Sequence, residues 1–396
     1  MKIDAHIHYT PPSMAENLEA FSEQEPYWGL LITPDPINPT QQGWATGERM
    51  IADMDRAGID KVVLLGVYRQ TVESTRDTNN DTLELMRRWP DRVCGFAVVT
   101  PQPVEKGLDE LKRCLDAGMQ GVGEMNPYGQ RSSLEDPGFL RIVEACIDAN
   151  IPLNLHVSEE IGHFYLGKTP TPLLEYYRLA CRYPELKLIL AHWGGGLVFY
   201  EMMPEVRTNL KNVWYDTAGS PLMYPTQPVF RIGLELLGSQ KILYGSDYPL
   251  LIMPKSQQEP DFRPFLEVID GLGLEADVRA DIMGGNCARL LGFEPAKIEK
   301  LPVTAEQTSR AAAAVVTEIE DPTAASVEPY MAVRAVVEAW PETRPVLDRY
   351  GIPWQALAVP FWEPLAQAAA ASGLGPSARN RLIRELNEVV AKQRLV

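Results

Sequence analysis

The chain has 396 residues, of which 45% are hydrophobic and 23% are charged, a composition that excludes a disordered or fibrous protein. This length exceeds what one hydrophobic core usually serves, so it predicts one large domain with a smaller one, or two comparable domains. The formal net charge of -16 argues against nucleic acid and anionic membranes as partners, because phosphate binding depends on clustered Lys and Arg.

The start of the chain and its cysteines predict a cytoplasmic protein. Residues 1–8 form a strand-like run with charges and lack the apolar centre of a signal peptide. No stretch reaches the apolar length that spans a bilayer. The five cysteines are odd in number and far apart, which favours reduced thiols over a disulfide framework or a CxxC metal site.

Up to about residue 292, short apolar or β-branched runs alternate with segments of helical periodicity. Strands are predicted at residues 2–8, 61–67, 93–100, 120–125, 152–157, 187–193, 213–218 and 242–248. Helices are predicted at residues 47–57, 82–89, 108–117, 139–150, 173–183, 201–210 and 230–237. Eight βα units predict an α/β fold, a closed (β/α)8 TIM barrel, in preference to a doubly wound open sheet. No GxGxxG motif follows the first strand, which also argues against the open sheet.

Two long insertions interrupt the barrel pattern. Residues 9–45, rich in Pro and Gly, follow the first strand, and residues 250–261 follow the eighth. Both leave the carboxyl-terminal end of a strand, the end at which active sites of such barrels are built. We expect them to frame the mouth of the active site as lids or walls.

The composition changes after the barrel. The sequence predicts a barrel domain over residues 1–293, a linker over 294–327 and a small all-α domain over 328–396. Within the last domain, helical patterns cover residues 330–340, 361–372 and 377–392. A module of this size is marginally stable by itself, so we expect it to dock on the barrel or on a neighbouring subunit.

Four of the five histidines fall at the carboxyl-terminal ends of predicted strands. His6 and His8 lie two apart on the first strand, so both side chains point to the barrel interior. His156, His192 and Asp247 end the fifth, sixth and eighth strands. A lone histidine on an apolar strand is usually a core residue, but this joint pattern predicts a metal site. Imidazoles and a carboxylate suit a divalent ion such as zinc, with one position left for water.

The predicted chemistry follows from the ion and the groups beside it. Zinc lowers the pKa of bound water from about 15.7 towards about 7 and so supplies hydroxide at neutral pH. Asp247 is then placed to hold the metal or the water and to take the proton. His192 is placed to polarise the substrate oxygen or to guide the water.

The same segments resemble a known family. They are Asp4-Ala5-His6-Ile7-His8, His156, Ala191-His192-Trp193-Gly194-Gly195 and Gly245-Ser246-Asp247-Tyr248-Pro249. Over about residues 1–292 the chain resembles the amidohydrolase superfamily, closest to the branch of aminocarboxymuconate semialdehyde decarboxylase. The resemblance implies a barrel fold and a catalytic zinc. It implies that the zinc ligands are His6, His8, His156 and Asp247. It also implies that His192 is the catalytic histidine beside them.

Glu124 adds a further candidate ligand. It ends the fourth predicted strand, at a place that resembles the metal-bridging glutamate of TatD-like nucleases. That resemblance implies a second ion, held by His156 and His192. The alternative is a carboxylate that orients a ligand histidine or the substrate, or that caps the following loop. One zinc ion is the leading prediction, two ions are the alternative, and Mn²⁺ or another divalent metal is left open.

Several loop residues are candidates for contact with a small-molecule substrate. Tyr68 and Arg69 follow the second strand and could clamp a carboxylate or carbonyl, and His163 lies on the loop after the fifth. A surface histidine and a solvated or ion-paired arginine are the plainer interpretations, and the same holds for Lys168. Asp216, near the end of the seventh strand, is predicted to support the site or to cap the next turn.

The carboxyl-terminal region has a resemblance of its own. Residues 330–387 resemble the small helical-hairpin domain called DUF1858. Members often carry a cysteine pair after the Tyr-Gly segment, where this chain has Pro353-Trp354-Gln355. That departure argues against a metal or redox role and favours a packing or partner-binding module.

Three hypotheses about function follow. The first is a metal-dependent hydrolase in which activated water attacks a small amide, ester or lactone. The alternative is a nonoxidative decarboxylase, in which the metal polarises an acid while His192 and Asp247 handle protons. The third is a non-catalytic metal-binding or assembly protein, although a structural zinc site is normally closed by four protein ligands. The sequence does not identify the substrate, and it leaves open whether the protein forms a homodimer.

Overall fold

The computed structural model describes residues 1–32, 41–162, 165–169, 172–254, 257–293, 326–327, 329, 331, 333–354 and 365–393. The chain divides into two compact units, Met1–Glu294 and Pro295–Val396. Residues 294–325, most of the predicted linker, lie outside the described residues. None of the described helices is long and apolar enough to cross a membrane.

The first unit is built on eight parallel strands. They are β1 (Ile3–Ile7), β2 (Lys61–Leu65), β3 (Val93–Phe96), β4 (Val122–Met125), β5 (Leu153–Leu155), β6 (Leu188–Leu190), β7 (Val213–Asp216) and β8 (Ile242–Leu243). Continuous ladders join β1 to β3 and β4 to β8. Single parallel bridges, Ala97 with Val122 and Ile7 with Tyr248, join the two sheets into a closed ring. The structure thus confirms the predicted (β/α)8 barrel.

All eight strands lie where the sequence predicts them, but each is shorter than predicted, in most cases at its carboxyl-terminal end. Some residues beyond those ends still hydrogen-bond to a neighbouring strand, as His156 does when its backbone N–H donates to the Met125 carbonyl oxygen. After β6 and β8, His192 and Asp247 adopt left-handed backbone conformations, with φ of 59° and 65°. Such a conformation costs a non-glycine residue about 1–2 kcal/mol. Tertiary contacts must therefore hold these ends, and local sequence patterns do not show such contacts.

Nineteen α-helical segments are described, fifteen of them in the barrel unit. In the barrel unit they are α1 (Pro12–Glu16), α2 (Leu18–Gln24), α3 (Pro26–Ile32), α4 (Gly47–Ala57), α5 (Val72–Arg88), α6 (Val104–Asp116), α7 (Pro137–Asp148), α8 (Leu173–Arg182), the kinked turn α9 (Ala191–Gly194), α10 (Pro204–Asn209), α11 (Ser220–Met223), α12 (Thr226–Leu237), α13 (Arg263–Asp270), α14 (Ala276–Ala280) and α15 (Asn286–Leu291). A 3₁₀ turn, Leu197–Met202, and a π turn, Asp281–Gly285, complete the set. Helix α4 has the predicted bounds, because Thr46 caps its start and Gly58, with φ of 63°, ends it.

Helix α5 begins ten residues earlier than predicted, at Val72 in place of residue 82. Its first half is buried through polar side chains, so hydrophobic periodicity does not reveal it. Asn79 shows why such burial is tolerated. Its Nδ2 donates to the Val98 carbonyl and to Glu110 Oε1, both at 2.9 Å.

Buried apolar side chains form two clusters in the barrel unit. The larger one joins the strands to the surrounding helices. The smaller one joins alternate residues of β1, β2 and β3 to Cys287 and Ala288 of α15. Alternation along a strand sends neighbouring side chains to opposite sides, which explains the two separate clusters.

The second unit is helical. Its described elements are α16 (Val333–Ala339), a 3₁₀ turn (Pro341–Thr343), α17 (Arg344–Arg349), α18 (Leu365–Ala371) and α19 (Pro376–Gln393). Leu347, Leu365, Leu382 and Leu386 are fully buried in a core that consists of this unit's own residues. An all-α unit of this kind was predicted, while the likeness to DUF1858 stays a prediction.

Candidate metal centre

Six acidic or imidazole side chains meet at the carboxyl-terminal end of the barrel. They come from five strands or the residues just after them: His6, His8, Glu124, His156, His192 and Asp247. Four are buried, and His8 and His156 are partly exposed. The sequence singled out each of these residues, with Glu124 as the additional candidate. We call them the six-residue cluster.

The first donor set within the cluster consists of His6 Nε2, His8 Nε2, Glu124 Oε2 and Asp247 Oδ1. The two imidazole nitrogens lie 3.2 Å apart. Asp247 Oδ1 lies 3.7 and 3.5 Å from them, and Glu124 Oε2 lies 3.9 and 3.6 Å away. Ligand atoms around one tetrahedral zinc ion lie about 3.4 Å from each other, given zinc–ligand bonds of about 2.1 Å. The spacing and the donor chemistry therefore fit one divalent ion.

The second donor set shares Glu124 with the first. Glu124 Oε1 lies 2.9 Å from His156 Nδ1 and 3.4 Å from His192 Nε2, and these two nitrogens are 3.1 Å apart. The leading sequence prediction grouped His156 with His6 and His8, and its two-ion alternative grouped His156 with Glu124 and His192. In the structure the His156 Nδ1 lies with Glu124 and His192. Glu124 thus offers one carboxylate oxygen to each set.

The outer nitrogens of the two β1 imidazoles are held by hydrogen bonds. His6 Nδ1 donates to Asp216 Oδ2 at 2.9 Å. His8 Nδ1 donates to the Leu65 carbonyl oxygen at 3.2 Å. A hydrogen on Nδ1 leaves Nε2, the atom that faces the cluster, free to bind a cation.

The other two imidazoles follow the same rule. His192 Nδ1 donates to the Ala218 carbonyl oxygen at 2.9 Å, which leaves Nε2 for the cluster. His156 is oriented the other way round, since its Nε2 lies 3.1 Å from Ser158 Oγ and its Nδ1 faces Glu124. All four rings are therefore oriented in advance as ligands.

Asp216, at the end of β7, connects several of these parts. Its Oδ2 accepts from His6 Nδ1 and, at 3.3 Å, from Asn154 Nδ2. Its Oδ1 accepts from the backbone N–H groups of His192, at 2.9 Å, and Ala218, at 3.1 Å. One fully buried carboxylate thus orients a ring on β1 and the turn after β6.

Two imidazoles of the cluster, His6 and His192, hold positive charge. Burial by itself lowers the pKa of His6, but the charges of Asp216 and Glu124 outweigh burial and raise it to about 10. Burial also acts against His192, whose hydrogen bond to Glu124 and the charge of Asp247 raise its pKa to about 9. The surroundings thus stabilise cationic charge at this point.

The carboxylates show the reverse effect. Burial raises the pKa of Asp247, but the hydrogen bond from His8 and the charge of His6 lower it to about 2. The pKa of Glu124 lies well below its usual range, since the charges of His156 and His6 outweigh the burial of the carboxyl. Both side chains are therefore charged ligands at any physiological pH.

The turn after β6 aims His192 at the cluster. Residues 192–196 all have positive φ, which three consecutive glycines make easier. Trp193 is held in this conformation because its Nε1 donates to Ser220 Oγ at 2.9 Å. A Cβ at Gly195 would lie 2.7 Å from a backbone oxygen of the loop after β5, so only glycine fits there. The segment that the sequence predicts as the end of a strand is therefore a left-handed turn.

A cavity of about 480 Å³ opens on the cluster, within the range of small-molecule sites. The first insertion, with helices α1 to α3, contributes Met14, Trp28 and Leu31 to its wall, and the second contributes Leu250 and Pro254. Both insertions therefore frame the mouth, as expected. Among the lining residues that the structure describes, none is an arginine or a lysine.

The predicted substrate residues fall in different places. Tyr68 lines the cavity, and its buried hydroxyl has no hydrogen-bond partner within the described part of the chain. Arg69 does not line it: its Nε donates to Thr78 Oγ1 at 3.0 Å, and its guanidinium lies over the Phe21 ring of α2, 4.6 Å from the centroid. Arg69 packs against the first insertion. His163 lies outside the described residues.

Glu159 is a charged residue at the cavity that the sequence analysis did not single out. Glu159 lies three residues after His156, is buried and lines the cavity, and its Oε1 accepts from the buried Lys168 at 2.8 Å. Its position soon after a strand that ends in a candidate ligand was the available signal.

A hydrogen-bond network that the sequence analysis also missed supports the loop after β8. The Tyr248 hydroxyl donates to Asp53 Oδ2 of α4 at 2.7 Å. Asp53 is fully buried and also accepts from Arg49 Nε at 2.9 Å and from Arg56. This network fixes the residue next to Asp247. An aspartate within an amphipathic helix carries no sequence signal of that role.

A closed (β/α)8 barrel with such a cluster at the floor of a cavity defines a class, the barrel enzymes with a candidate metal centre. The chain belongs to the amidohydrolase family, whose sequence model, described as "Amidohydrolase", matches residues 3–293. The matched part contains the whole six-residue cluster, so the family assignment and the site concern the same part of the chain.

Similar proteins narrow the expectation about function. The chain is 22% identical over 357 residues to the 2-amino-3-carboxymuconate-6-semialdehyde decarboxylase of Dictyostelium discoideum, covering 75% of this chain and 93% of that protein. It is 24% identical over 258 residues to the gamma-resorcylate decarboxylase of Polaromonas sp. (strain JS666), covering 51% and 76%. A crystal structure of dihydroxybenzoic acid decarboxylase from Polaromonas sp. JS666, with bound manganese and 2-nitroresorcinol, superposes with a TM-score of 0.55 at 18% identity, covering 74% and 98%.

These findings bear on the three hypotheses. The chain is an enzyme, so the non-catalytic alternative is set aside. The hydrolase hypothesis, first in the sequence analysis, is supported less well than the decarboxylase alternative. The structural neighbour shares the barrel fold.

Proposed function

We propose that this protein is a metal-dependent, nonoxidative decarboxylase of a small carboxylic acid. The observation that carries the proposal is the position of the six-residue cluster, at the floor of a largely apolar cavity in a chain whose relatives are decarboxylases. An apolar cavity suits an organic acid whose body is a ring or an unsaturated chain. Its carboxylate would then face the cluster.

The first donor set is the proposed ion site. Its two imidazoles and two carboxylates suit zinc, our first choice, and manganese is the alternative. A divalent ion held there supplies positive charge that polarises substrate oxygens and stabilises electrons left on the substrate. His156 and His192, of the second donor set, would lie beside it.

The protein's own groups manage the proton. When the carbon–carbon bond breaks, carbon dioxide leaves and the remaining carbon takes up one proton. His192 lines the cavity and, with a pKa of about 9, carries a proton at neutral pH, so we assign proton delivery to it. Asp247 stays ionised, and its charge helps to keep the His192 imidazole protonated. The Tyr68 hydroxyl is a donor for a substrate oxygen, because burial raises its pKa well above the usual value and keeps it protonated.

The test is a comparison of products. Protein loaded with Zn²⁺ or Mn²⁺ is incubated with 2-hydroxybenzoate and 2,6-dihydroxybenzoate, and released carbon dioxide and the decarboxylated ring are measured together. In parallel, ester and lactone panels are followed by acid release. We expect carbon dioxide and ring product in equal amounts, with both lost in Asp247→Asn. Acid release from esters or lactones without any carbon dioxide from the acids would restore the hydrolase hypothesis.

A further inference from the structure

We propose that Glu159 is a specificity-determining residue, which selects acids that carry a second, hydrogen-bond-donating group such as an amine or a hydroxyl. The proposal rests on the proposed function of the cavity as an acid-binding site. It goes beyond that function, because it states what the rest of the substrate carries.

Glu159 is a buried charge with half of its hydrogen-bonding capacity unused. The residue is 7% exposed, and Lys168, its partner at Oε1, is 5% exposed. Oε2 is also buried, yet it has no hydrogen-bond partner within the described residues. An unsatisfied buried acceptor is costly to a protein, and more so when it is charged. Because Glu159 lines the cavity, a bound ligand is the natural source of the missing donor.

The neighbours of Glu159 show that the carboxylate is held in place. A Cβ at Gly162 would lie 2.7 Å from Glu159 Cγ and 2.8 Å from Oε1, so the loop closes tightly on the side chain. The charge of Glu159 also affects Tyr165, another residue that lines the cavity. Burial, together with the charge of Glu159, raises the pKa of its phenol.

The charge pattern of the cavity indicates which ligands fit. Apart from the members of the six-residue cluster, Glu159 is the one charged residue among the described residues that line the cavity. The Lys168 ammonium is engaged by Oε1, so Oε2 remains to meet a ligand. A second carboxylate on the substrate would be repelled there, whereas an amino or hydroxyl group would form a charge-assisted hydrogen bond.

The experiment compares three ring acids of similar size. Benzoate, 3-aminobenzoate and benzene-1,3-dicarboxylate are titrated into Zn²⁺-loaded full-length protein by calorimetry. We expect 3-aminobenzoate to bind at least about tenfold more tightly than benzoate, and the dicarboxylate more weakly than benzoate. In Glu159→Gln the weakening of the dicarboxylate should disappear. The advantage of the amine should fall to within about threefold, since a neutral acceptor makes a weaker bond.

Two further variants keep the result interpretable. Glu159→Gln takes the anionic partner at position 159 away from the buried Lys168, so the double variant Glu159→Gln/Lys168→Met removes the pair together. Glu160→Gln, at the exposed neighbouring position, should keep the wild-type preferences. Thermal unfolding checks that each variant is folded.

The outcomes separate this inference from the proposed function. Equal binding of all three acids, tighter binding of the dicarboxylate, or preferences that survive in both Glu159 variants would each overturn it. So would the absence of binding by every acid. Preferences that depend on Glu159, in a protein that releases no carbon dioxide from any acid, would support the inference and reject the decarboxylase.

Discussion

At the scale of single residues, the orientation of the imidazoles carries most of the chemistry. Asp216, Leu65, Ala218 and Ser158 each contact the outer nitrogen of one ring, so the inner nitrogens face one another. Rings held in this way need no reorganisation when a cation binds. Partners of this kind typically contribute 10–100-fold to metal affinity.

Substitutions in the two donor sets should have different effects. His6→Ala removes a ligand of the first donor set, and we expect the purified protein to lose most of its metal. His192→Ala should keep the ion of the first set but lower turnover by about 10²–10⁴-fold, the usual contribution of a general acid or base. Elemental analysis and carbon dioxide release measure the two effects. Loss of half of the metal in His192→Ala would instead show two ions.

Metal binding should depend on pH in a defined direction. The pKa of His6, a ligand of the first donor set, is about 10 and lies above the ordinary value of 6.5, so this ring is protonated at neutral pH without metal. A cation in the first donor set must displace the proton on His6 Nε2, so its affinity should rise with pH and level off once the pH passes about 10.

Calorimetry in two buffers of different ionisation enthalpy measures this proton release directly. We expect proton release at neutral pH, and less of it as the pH approaches the pKa of His6. A metal affinity that stays constant between pH about 6 and about 9 would contradict the assignment of His6 Nε2 as a ligand.

At the scale of elements, the ends of the strands matter more than the strands. Hydrophobic runs predict all eight strands because strand periodicity is local. The residues just after β6 and β8 continue those runs in sequence, yet they turn into left-handed conformations that aim His192 and Asp247. The first half of α5 was missed for a related reason, since its buried face is polar.

The loop after β8 gives a prediction at this scale. Tyr248→Phe removes the hydrogen bond to Asp53, and we expect a loss of about 1–2 kcal/mol in the free energy of unfolding, because Asp53 keeps its two arginine partners. Turnover should fall too, since the neighbouring Asp247 loses an anchor. Thermal unfolding and steady-state kinetics measure both.

Tyr200→Phe, at an exposed tyrosine, is the matched control and should change neither quantity. Wild-type kinetics in Tyr248→Phe would show that the Asp53 network stabilises the fold without positioning Asp247.

At the scale of the whole molecule, the cluster links the two sheets of the barrel. Ladders are continuous only within β1–β3 and within β4–β8, and single bridges close the ring. The first donor set takes His6 and His8 from one sheet and Glu124 from the other. An ion bound there would therefore hold the closure together from inside.

Removal of metal should accordingly destabilise the barrel. A ligand present at a thousandfold excess over its Kd stabilises the folded state by about 4 kcal/mol. We expect chelation by EDTA to lower the midpoint of thermal unfolding by several degrees, and Zn²⁺ or Mn²⁺ to restore it along with activity. An unchanged midpoint in fully metal-depleted protein would argue against a bound ion at the closure.

The sequence by itself determined the barrel and the members of the cluster, because both follow from local periodicity and from the positions of residues at strand ends. Only the tertiary structure decided which imidazoles share a carboxylate. It also showed that Arg69 packs against the first insertion and that Glu159 lines the cavity. The physical reason is that side-chain direction and contact depend on distances between segments far apart in the chain. His6 and Asp216 illustrate this, since 210 residues separate two groups that lie 2.9 Å apart.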